Sequence, residues 1–198
     1  MAQGLLAGVG PSPLHGPPLG RGRTGRNSVN EVNSSTECVG CGLSAASINA
    51  PLPVHPKASA ECFALYTHLL ARSYQDPAYQ HVHQLIVDAY NTQHPEGTDN
   101  RTIQGVGVCL MTLCLFLENG VDPREGPRLH KAMTQNPVFT WLKPPRLHGL
   151  MTVADIVTAT DPREHERLLW EWGRQVWQAW APHHHEIRQW ITRGGYRT

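Results

Sequence analysis

The chain has 198 residues, a length that suits one domain and is too short for two large ones. Hydrophobic residues make up 40% of it, and its formal net charge of +1 gives no basic surface for nucleic acid or an anionic membrane. No apolar run approaches the roughly 18 residues that span a bilayer. The apolar stretch at residues 4–10 lacks the basic leader of a signal peptide. We therefore expect a cytoplasmic protein with reduced thiols that binds neither nucleic acid nor membranes.

The first 36 residues differ in composition from the rest of the chain. They contain seven glycines, four prolines and three arginines, and the first acidic residue is Glu31. No helical or strand period repeats there, which predicts a disordered tail over residues 1–36 and a single domain over residues 37–198. A translation start downstream of Met1 would explain the composition equally well.

A cysteine pair follows the tail. Cys38 and Cys41 are separated by two residues, and Gly40 and Gly42 supply permissive backbone angles for a compact turn, which we call the knuckle (residues 38–42). Three prolines between residues 51 and 56 then exclude regular structure until about Ser59.

Two helices are predicted next. Ser59 is a suitable N-cap for a first helix, in which Cys62 and the apolar positions that follow it have helical spacing. The pair Asp76-Pro77 opens a second helix that proline stops at His94-Pro95. No segment carries a strong strand signal.

The rest of the chain is also helical in pattern. Residues 100–119 are apolar nearly all round, which is typical of a central buried helix. Short helices are expected at about residues 125–134 and 152–158, and the last helix begins at Asp161-Pro162 and is kinked at Pro182. The predicted fold is therefore all-α, a four-helix-bundle-like domain with a zinc knuckle near its N-terminus.

The cysteines predict a metal site. Zinc favours four tetrahedral ligands, and a Cys-x-x-Cys turn offers two of them. Cys62 lies in the first turn of its helix, where the helix dipole favours a thiolate. We predict zinc, or another divalent transition metal, at Cys38, Cys41 and Cys62, with His83 as the tentative fourth ligand. A redox dithiol and a set of packed core thiols are the alternatives.

The helical angle predicts which side chains of the second helix point inward and which point outward. His83 and His94 fall on the side of the apolar stripe, whereas Asp88 falls on the outward side. His83 and His94 are eleven residues apart, roughly 16 Å along a straight helix, so they cannot share one ion there.

Inward histidines from several helices suggest a second, catalytic metal site. Its candidates are His94, His183 and His184, with Cys109 on the buried helix as a further ligand. Glu186 or Asp88 would support such a site, and Glu186 is near enough in sequence to orient His183. The alternative is that these are core histidines hydrogen-bonded to their neighbours.

Four motifs together resemble an uncharacterised bacterial domain family of unknown function. They are Cys38-x-x-Cys41-Gly42, Cys62-Phe63, the run Asp88-Ala89-Tyr90-x-x-Gln93-His94-Pro95, and the tail Trp180-x-x-His183-His184 with Trp190. The resemblance covers about residues 37–190. It implies no activity, but members of that family often carry a histidine near the position of Cys109, which favours Cys109 as a ligand.

A more distant likeness is to the DinB/YfiT-like four-helix bundles, which hold a divalent metal through three inward histidines. This chain departs from them because His183 and His184 are adjacent. On this basis the leading hypothesis is a metal-dependent hydrolase or transferase acting on an unknown small molecule. The alternative is a non-enzymatic, zinc-stabilised interaction or regulatory module with an unknown protein partner.

Overall fold

The computed structural model describes residues 35–48, 57–95, 97–135 and 139–196, which belong to one compact unit. Eight α-helices dominate these described residues, so the predicted all-α class is confirmed. The elements in chain order are β1 (Ser35–Glu37), β2 (Ser44–Ala46), α1 (Ala60–Gln75), α2 (Pro77–Gln80), α3 (His83–Gln93), α4 (Asn100–Asn119), α5 (Gly126–Gln135), α6 (Val153–Val157), α7 (Pro162–Ala179) and α8 (His184–Arg193). Short 3₁₀ turns occupy Pro123–Glu125 and Ala181–His183.

Local capping chemistry places the helix ends where the sequence predicts them. The Ser59 hydroxyl accepts a hydrogen bond from the backbone N–H of Cys62 at 3.2 Å and so begins α1. Asp161 caps α7 in the same way, and Gly120, at φ 69°, ends α4 in the left-handed conformation. The predicted last helix is interrupted at Pro182, which separates α7 from α8, as expected for a proline inside a helix.

The predicted second helix is instead two helices. The chain turns at His81 and Val82, so α2 ends at Gln80 and α3 begins at His83. The turn buries the Val82 side chain, and it brings His83 Nδ1 within 2.7 Å of Ser73 Oγ on α1. Helix α3 is enclosed by protein on more than its apolar face, since Gln84 and Thr92 are buried as well as Ile86 and Tyr90. Asp88, which the sequence places outward, is fully buried.

Helix α4 forms the centre of the fold, as its apolar pattern predicts. It packs against α3, α5, α7 and α8, and ten consecutive residues from Gly107 to Phe116 are buried. By length and composition alone it could also cross a membrane, which corrects the expectation that no segment is apolar enough. Over half of that window, 56%, is buried inside the fold, and a core helix of a soluble protein gives the same pattern.

Buried tryptophans fix the C-terminal end of α3. Trp172 donates its indole N–H to the side-chain oxygen of Gln93 at 2.9 Å, and Trp180 donates to the backbone carbonyl of Thr92 at 3.1 Å. Both tryptophans are fully buried. The two residues that precede His94 are therefore held from the α7 side, and this positions His94 itself.

The N-terminal end of the domain contains a small antiparallel hairpin that the sequence did not predict. Strand β1 pairs with β2 in the register Ser35 to Ala46 and Glu37 to Ser44, and the knuckle forms the connection. Three residues per strand are too few to show an alternating pattern. The predicted disordered tail lies outside the described residues, apart from its last two positions, which belong to β1.

Candidate metal centre

Three separate segments bring four potential ligands together. Cys38 and Cys41 come from the knuckle, Cys62 from the first turn of α1, and His94 from the residue that ends α3. Their ligand atoms all lie within 4.8 Å of one another, and each of the four side chains is at most 2% exposed. We call this group the knuckle cluster. It could hold a metal ion with no ligand from solvent.

Three separations within the knuckle cluster are close to those of a zinc tetrahedron. Zinc bonds of about 2.3 Å to sulfur and about 2.05 Å to nitrogen place ligand atoms about 3.8 Å apart for two sulfurs and about 3.6 Å apart for sulfur and nitrogen. The sulfurs of Cys41 and Cys62 are 3.7 Å apart. His94 Nε2 is 3.4 Å from the sulfur of Cys38 and 3.4 Å from that of Cys62.

The imidazole of His94 is oriented for ligation. Its Nδ1 lies 2.8 Å from the backbone carbonyl oxygen of Tyr90, and because a carbonyl can only accept, Nδ1 carries the proton and donates it. Nε2 therefore faces the three sulfurs with its lone pair free in the neutral tautomer. Fixing a metal-binding histidine through its other ring nitrogen is the usual arrangement around zinc.

Backbone hydrogen bonds hold the knuckle against the helices. Gly40 donates its N–H to the carbonyl of Lys57 at 2.7 Å, and Ser59 donates its N–H to the sulfur of Cys38 at 3.4 Å. The His94 ring lies directly over Gly40, since a Cβ at this position would be 2.4 Å from His94 Cδ2. Glycine is therefore required for the fourth ligand to reach the cysteines.

The knuckle cluster carries a marked electrostatic imbalance. Hydrogen bonds with the thiols of Cys41 and Cys62 lower the pKa of Cys38, whereas hydrogen bonds with Cys38 and Cys41 raise the pKa of Cys62. Burial lowers the pKa of His94, but its hydrogen bonds with Cys38 and Cys41 outweigh this and raise it to about 9. A thiolate is thus favoured at Cys38 but opposed at Cys62, and a bound cation would stabilise all three thiolates together.

The structure places His83 elsewhere. It begins α3, at the opposite end of that helix from His94, where its ring packs on Tyr74 and its Nδ1 pairs with Ser73 Oγ. Burial lowers the pKa of His83. His94, which the sequence predicts for the second site, lies at the fourth position of the cluster in place of His83.

The other second-site candidates are not gathered around His94. His183 donates from Nε2 to the carbonyl of Lys143 at 2.8 Å, and His184 donates from Nε2 to the carbonyl of Trp177 at 2.9 Å. Glu186 accepts a hydrogen bond from the Trp190 indole at 3.0 Å. Within the described parts of the chain, none of these three residues belongs to a group of ligand atoms close enough to share one ion.

A different second group is present, formed by Asp88, Cys109 and His130 and called here the Asp88 cluster. Their ligand atoms also lie within 4.8 Å of one another. His130 Nε2 is 2.8 Å from Asp88 Oδ1, and burial, followed by the charge of Asp88, raises the pKa of Cys109 well above its ordinary value. Sequence reasoning named Asp88 and Cys109 but missed His130, whose only signal is its place beside Leu129 on a short amphipathic helix.

Comparison with known proteins identifies a family. Residues 36–181 match the family of unknown function DUF5946. The chain belongs to DUF5946. The predicted resemblance to an uncharacterised domain family is therefore confirmed, and the DUF5946 match includes every residue of the knuckle cluster and the Asp88 cluster. It ends at residue 181, before the two histidines of the tail motif, His183 and His184. No curated protein and no solved structure matches the chain.

Proposed function

We propose that this chain is a zinc-stabilised helical protein in which one zinc ion, held by Cys38, Cys41, Cys62 and His94, fastens the N-terminal hairpin to α1 and α3. One observation carries the proposal: four buried donor atoms are spaced like the corners of a single zinc tetrahedron. Four protein ligands leave no position for water or substrate, which is the arrangement of structural zinc rather than catalytic zinc.

The ligand types favour zinc over other ions. Three thiolates and one imidazole form a soft donor set, which disfavours magnesium and calcium, and a tetrahedral arrangement of such donors suits zinc. The free energy of metal binding would then contribute directly to folding, because the hairpin has only three residues per strand to hold it otherwise. Such a protein corresponds to the non-enzymatic, zinc-stabilised interaction or regulatory module that the sequence predicts as the alternative to an enzyme.

The hydrolase or transferase hypothesis, as built on His94 with His183 and His184, loses its support. His94 faces the three cysteine sulfurs, and both C-terminal histidines donate to backbone carbonyls. An ion in the knuckle cluster would have no exchangeable position, so it could not activate a water molecule.

The test is elemental analysis and cobalt substitution of the purified full chain. We expect the Cys62→Ser variant to lose one equivalent of zinc and to lose most of the thiolate-to-cobalt charge-transfer absorption of the cobalt-loaded protein. Cys114→Ala is the matched control, because Cys114 is equally buried on α4 but outside both clusters. Unchanged zinc content in Cys62→Ser, or zinc loss equal to that in Cys114→Ala, would overturn the proposal.

A further inference from the structure

The Asp88 cluster differs from an ordinary buried ion pair in one respect. Asp88 is fully buried on α3, and its Oδ1 already has two neighbours, His130 Nε2 at 2.8 Å and Gln84 Nε2 at 3.0 Å. Its other oxygen, Oδ2, is buried without a hydrogen-bond partner in the described residues. An unsatisfied carboxylate oxygen at this depth costs on the order of 1–3 kcal/mol unless another group, such as an ion, binds it.

The neighbouring groups converge on His130. Thr112 Oγ1 lies 3.1 Å from His130 Nε2, and Gln84 Nε2 lies 3.2 Å from the same atom. Thr112 already donates to the carbonyl of Val108 at 2.6 Å, so it can only accept from His130. Helix α5 can approach α3 closely at this point because Gly126 has no side chain. A Cβ atom there would lie only 2.1 Å from Gln84 Cγ. The packing of α5 on α3 therefore brings His130 to Asp88.

The cluster also borders an open cleft. A cavity of about 570 Å³ is lined by Cys109 and His130 together with Asn91, Thr102 and His94. This volume lies within the range of small-molecule sites. The side chain of His130 is 24% exposed, whereas Asp88 lies behind it with no exposure. One side of the cluster thus faces protein, and the other faces solvent.

From these observations we propose that Asp88, Cys109 and His130 form a second divalent-metal site with three protein ligands and one exchangeable position that opens on the cleft. Three protein ligands with a free position are the arrangement of catalytic zinc. Carboxylate, thiolate and imidazole are all zinc ligands, and Asp88 Oδ2 offers a further oxygen beside them. This site shares no residue with the knuckle cluster and does not depend on the proposed structural zinc.

Metal binding here exchanges protons for the ion. The Cys109 thiol gives its proton to solvent when its sulfur bonds the metal, and His130 binds through Nε2, losing any proton that this atom donates to Asp88. The 2.8 Å separation of Asp88 Oδ1 and His130 Nε2 is a hydrogen-bond distance, shorter than the roughly 3.4 Å between two such ligands on one tetrahedral zinc. Metal binding therefore requires the imidazole of His130, whose side chain is partly exposed, to move away from Asp88 by about half an ångström.

The experiment titrates the full chain with Co²⁺ and with Zn²⁺ and counts equivalents by absorption and elemental analysis. We expect two equivalents for the wild type and one for His130→Ala, with the thiolate charge-transfer bands of the knuckle cluster retained. Azide added to the two-cobalt protein should change the visible d–d bands, because only the second site has an exchangeable position, and should leave His130→Ala unchanged. His83→Gln is the matched control on α3, since His83 lies outside both clusters.

Cys109→Ser provides a second variant if His130→Ala folds poorly, and we expect it also to bind one equivalent. A wild type that binds a single equivalent, lost entirely in Cys62→Ser, would overturn this proposal and leave the structural zinc intact. Two equivalents in both His130→Ala and Cys109→Ser would overturn it as well. A wild type that loses its only equivalent in His130→Ala but not in Cys62→Ser would support the second site and reject the first.

Discussion

The knuckle cluster and the Asp88 cluster both depend on α3, yet they differ in closure. His94, at the end of α3, meets three cysteines at separations close to those of a zinc tetrahedron, and each of the four residues is at most 2% exposed. Asp88, in the middle of the helix, lies with two further potential ligands, Cys109 and His130, which both line a cleft. The number of protein ligands and the access of solvent, rather than ligand chemistry, separate a structural site from an exchangeable one.

The largest expected effect follows from removing a sulfur of the knuckle cluster. Cys41→Ser should lower the free energy of unfolding by more than about 4 kcal/mol, a range reached when a structural metal is lost. The reason is that metal binding and folding are one equilibrium at a closed site. Denaturant unfolding, with and without added zinc, measures the loss.

The control for this variant is Cys114→Ala, which removes an equally buried sulfur from α4. It should cost clearly less and should respond to a chelator as the wild type does. If a chelator leaves the denaturant midpoint of the wild type unchanged, the knuckle cluster does not hold a structural metal ion, and the contrast with the Asp88 cluster is wrong.

A second prediction tests the close approach of His94 to the knuckle. Gly40→Ala places a methyl group 2.4 Å from His94 Cδ2 and 3.0 Å from the carbonyl oxygen of Lys57. Hydrogen bonds hold both neighbours, the His94 ring to the carbonyl of Tyr90 and the Lys57 carbonyl to the N–H of Gly40. We expect a loss of about 2–3 kcal/mol, typical of overpacking, and weaker metal retention. Thermal unfolding and chelator competition measure the two effects.

Gly105→Ala is the matched control for the glycine substitution. Gly105 lies within α4, and a Cβ there meets nothing within 4 Å, so alanine should stabilise the helix by roughly 0.5–1 kcal/mol. Equal effects of the two substitutions would mean that the His94 ring does not lie against Gly40 in solution.

The knuckle cluster was predictable from the sequence only in part. The three cysteines of the knuckle cluster are brought together as predicted, because a Cys-x-x-Cys turn and a cysteine in the first turn of a capped helix are local features. Whether they bind metal stays a prediction. The fourth position could not be predicted in this way, since it depends on the tertiary packing that brings the end of α3 to the knuckle and on the absence of a side chain at Gly40.

The Asp88 cluster shows a similar limit. The helical angle places Asp88 opposite the apolar stripe and therefore outward, but α3 packs against α4 and α7 and is met by α5 at Gln84, so Asp88 lies in the core. His130 lies on α5, a helix of ten residues, and is far in sequence from both Asp88 and Cys109, so no local pattern links the three residues. The helices themselves were readable, because caps, prolines and apolar periodicity are encoded within each segment.

A third prediction separates pH effects at the clusters from those of a buried histidine outside them. His165 is fully buried, and neither of its ring nitrogens has a hydrogen-bond partner among the described residues. Burial, with smaller contributions from the charges of Arg72 and His81, lowers its pKa to about 4. In the unfolded chain the same group titrates near about 6.5.

The unfolded state therefore binds a proton between these two values while the native state does not. Stability attributable to His165 should be complete above about pH 6.5 and should fall by about 3 kcal/mol as the pH drops toward 4. The His165→Phe variant keeps a ring against Tyr79 and should lose this part of the slope. Acid would also release a bound metal ion, so metal content is followed in both proteins. Parallel pH curves for the variant and the wild type would contradict the assignment.

The smallest expected effect concerns His183, for which the sequence predicts a place in a catalytic metal site with His94. Its Nε2 donates to the carbonyl of Lys143, and it belongs to neither cluster. His183→Ala should remove one partly exposed hydrogen bond, costing about 1 kcal/mol, and should leave the metal content unchanged. Denaturant unfolding and elemental analysis on the same preparation give both values. Loss of a whole metal equivalent would instead show that His183 is a metal ligand, as in the predicted site with His94. The knuckle cluster would then not be a closed site, because His94 would share an ion with a residue from the C-terminal part of the chain.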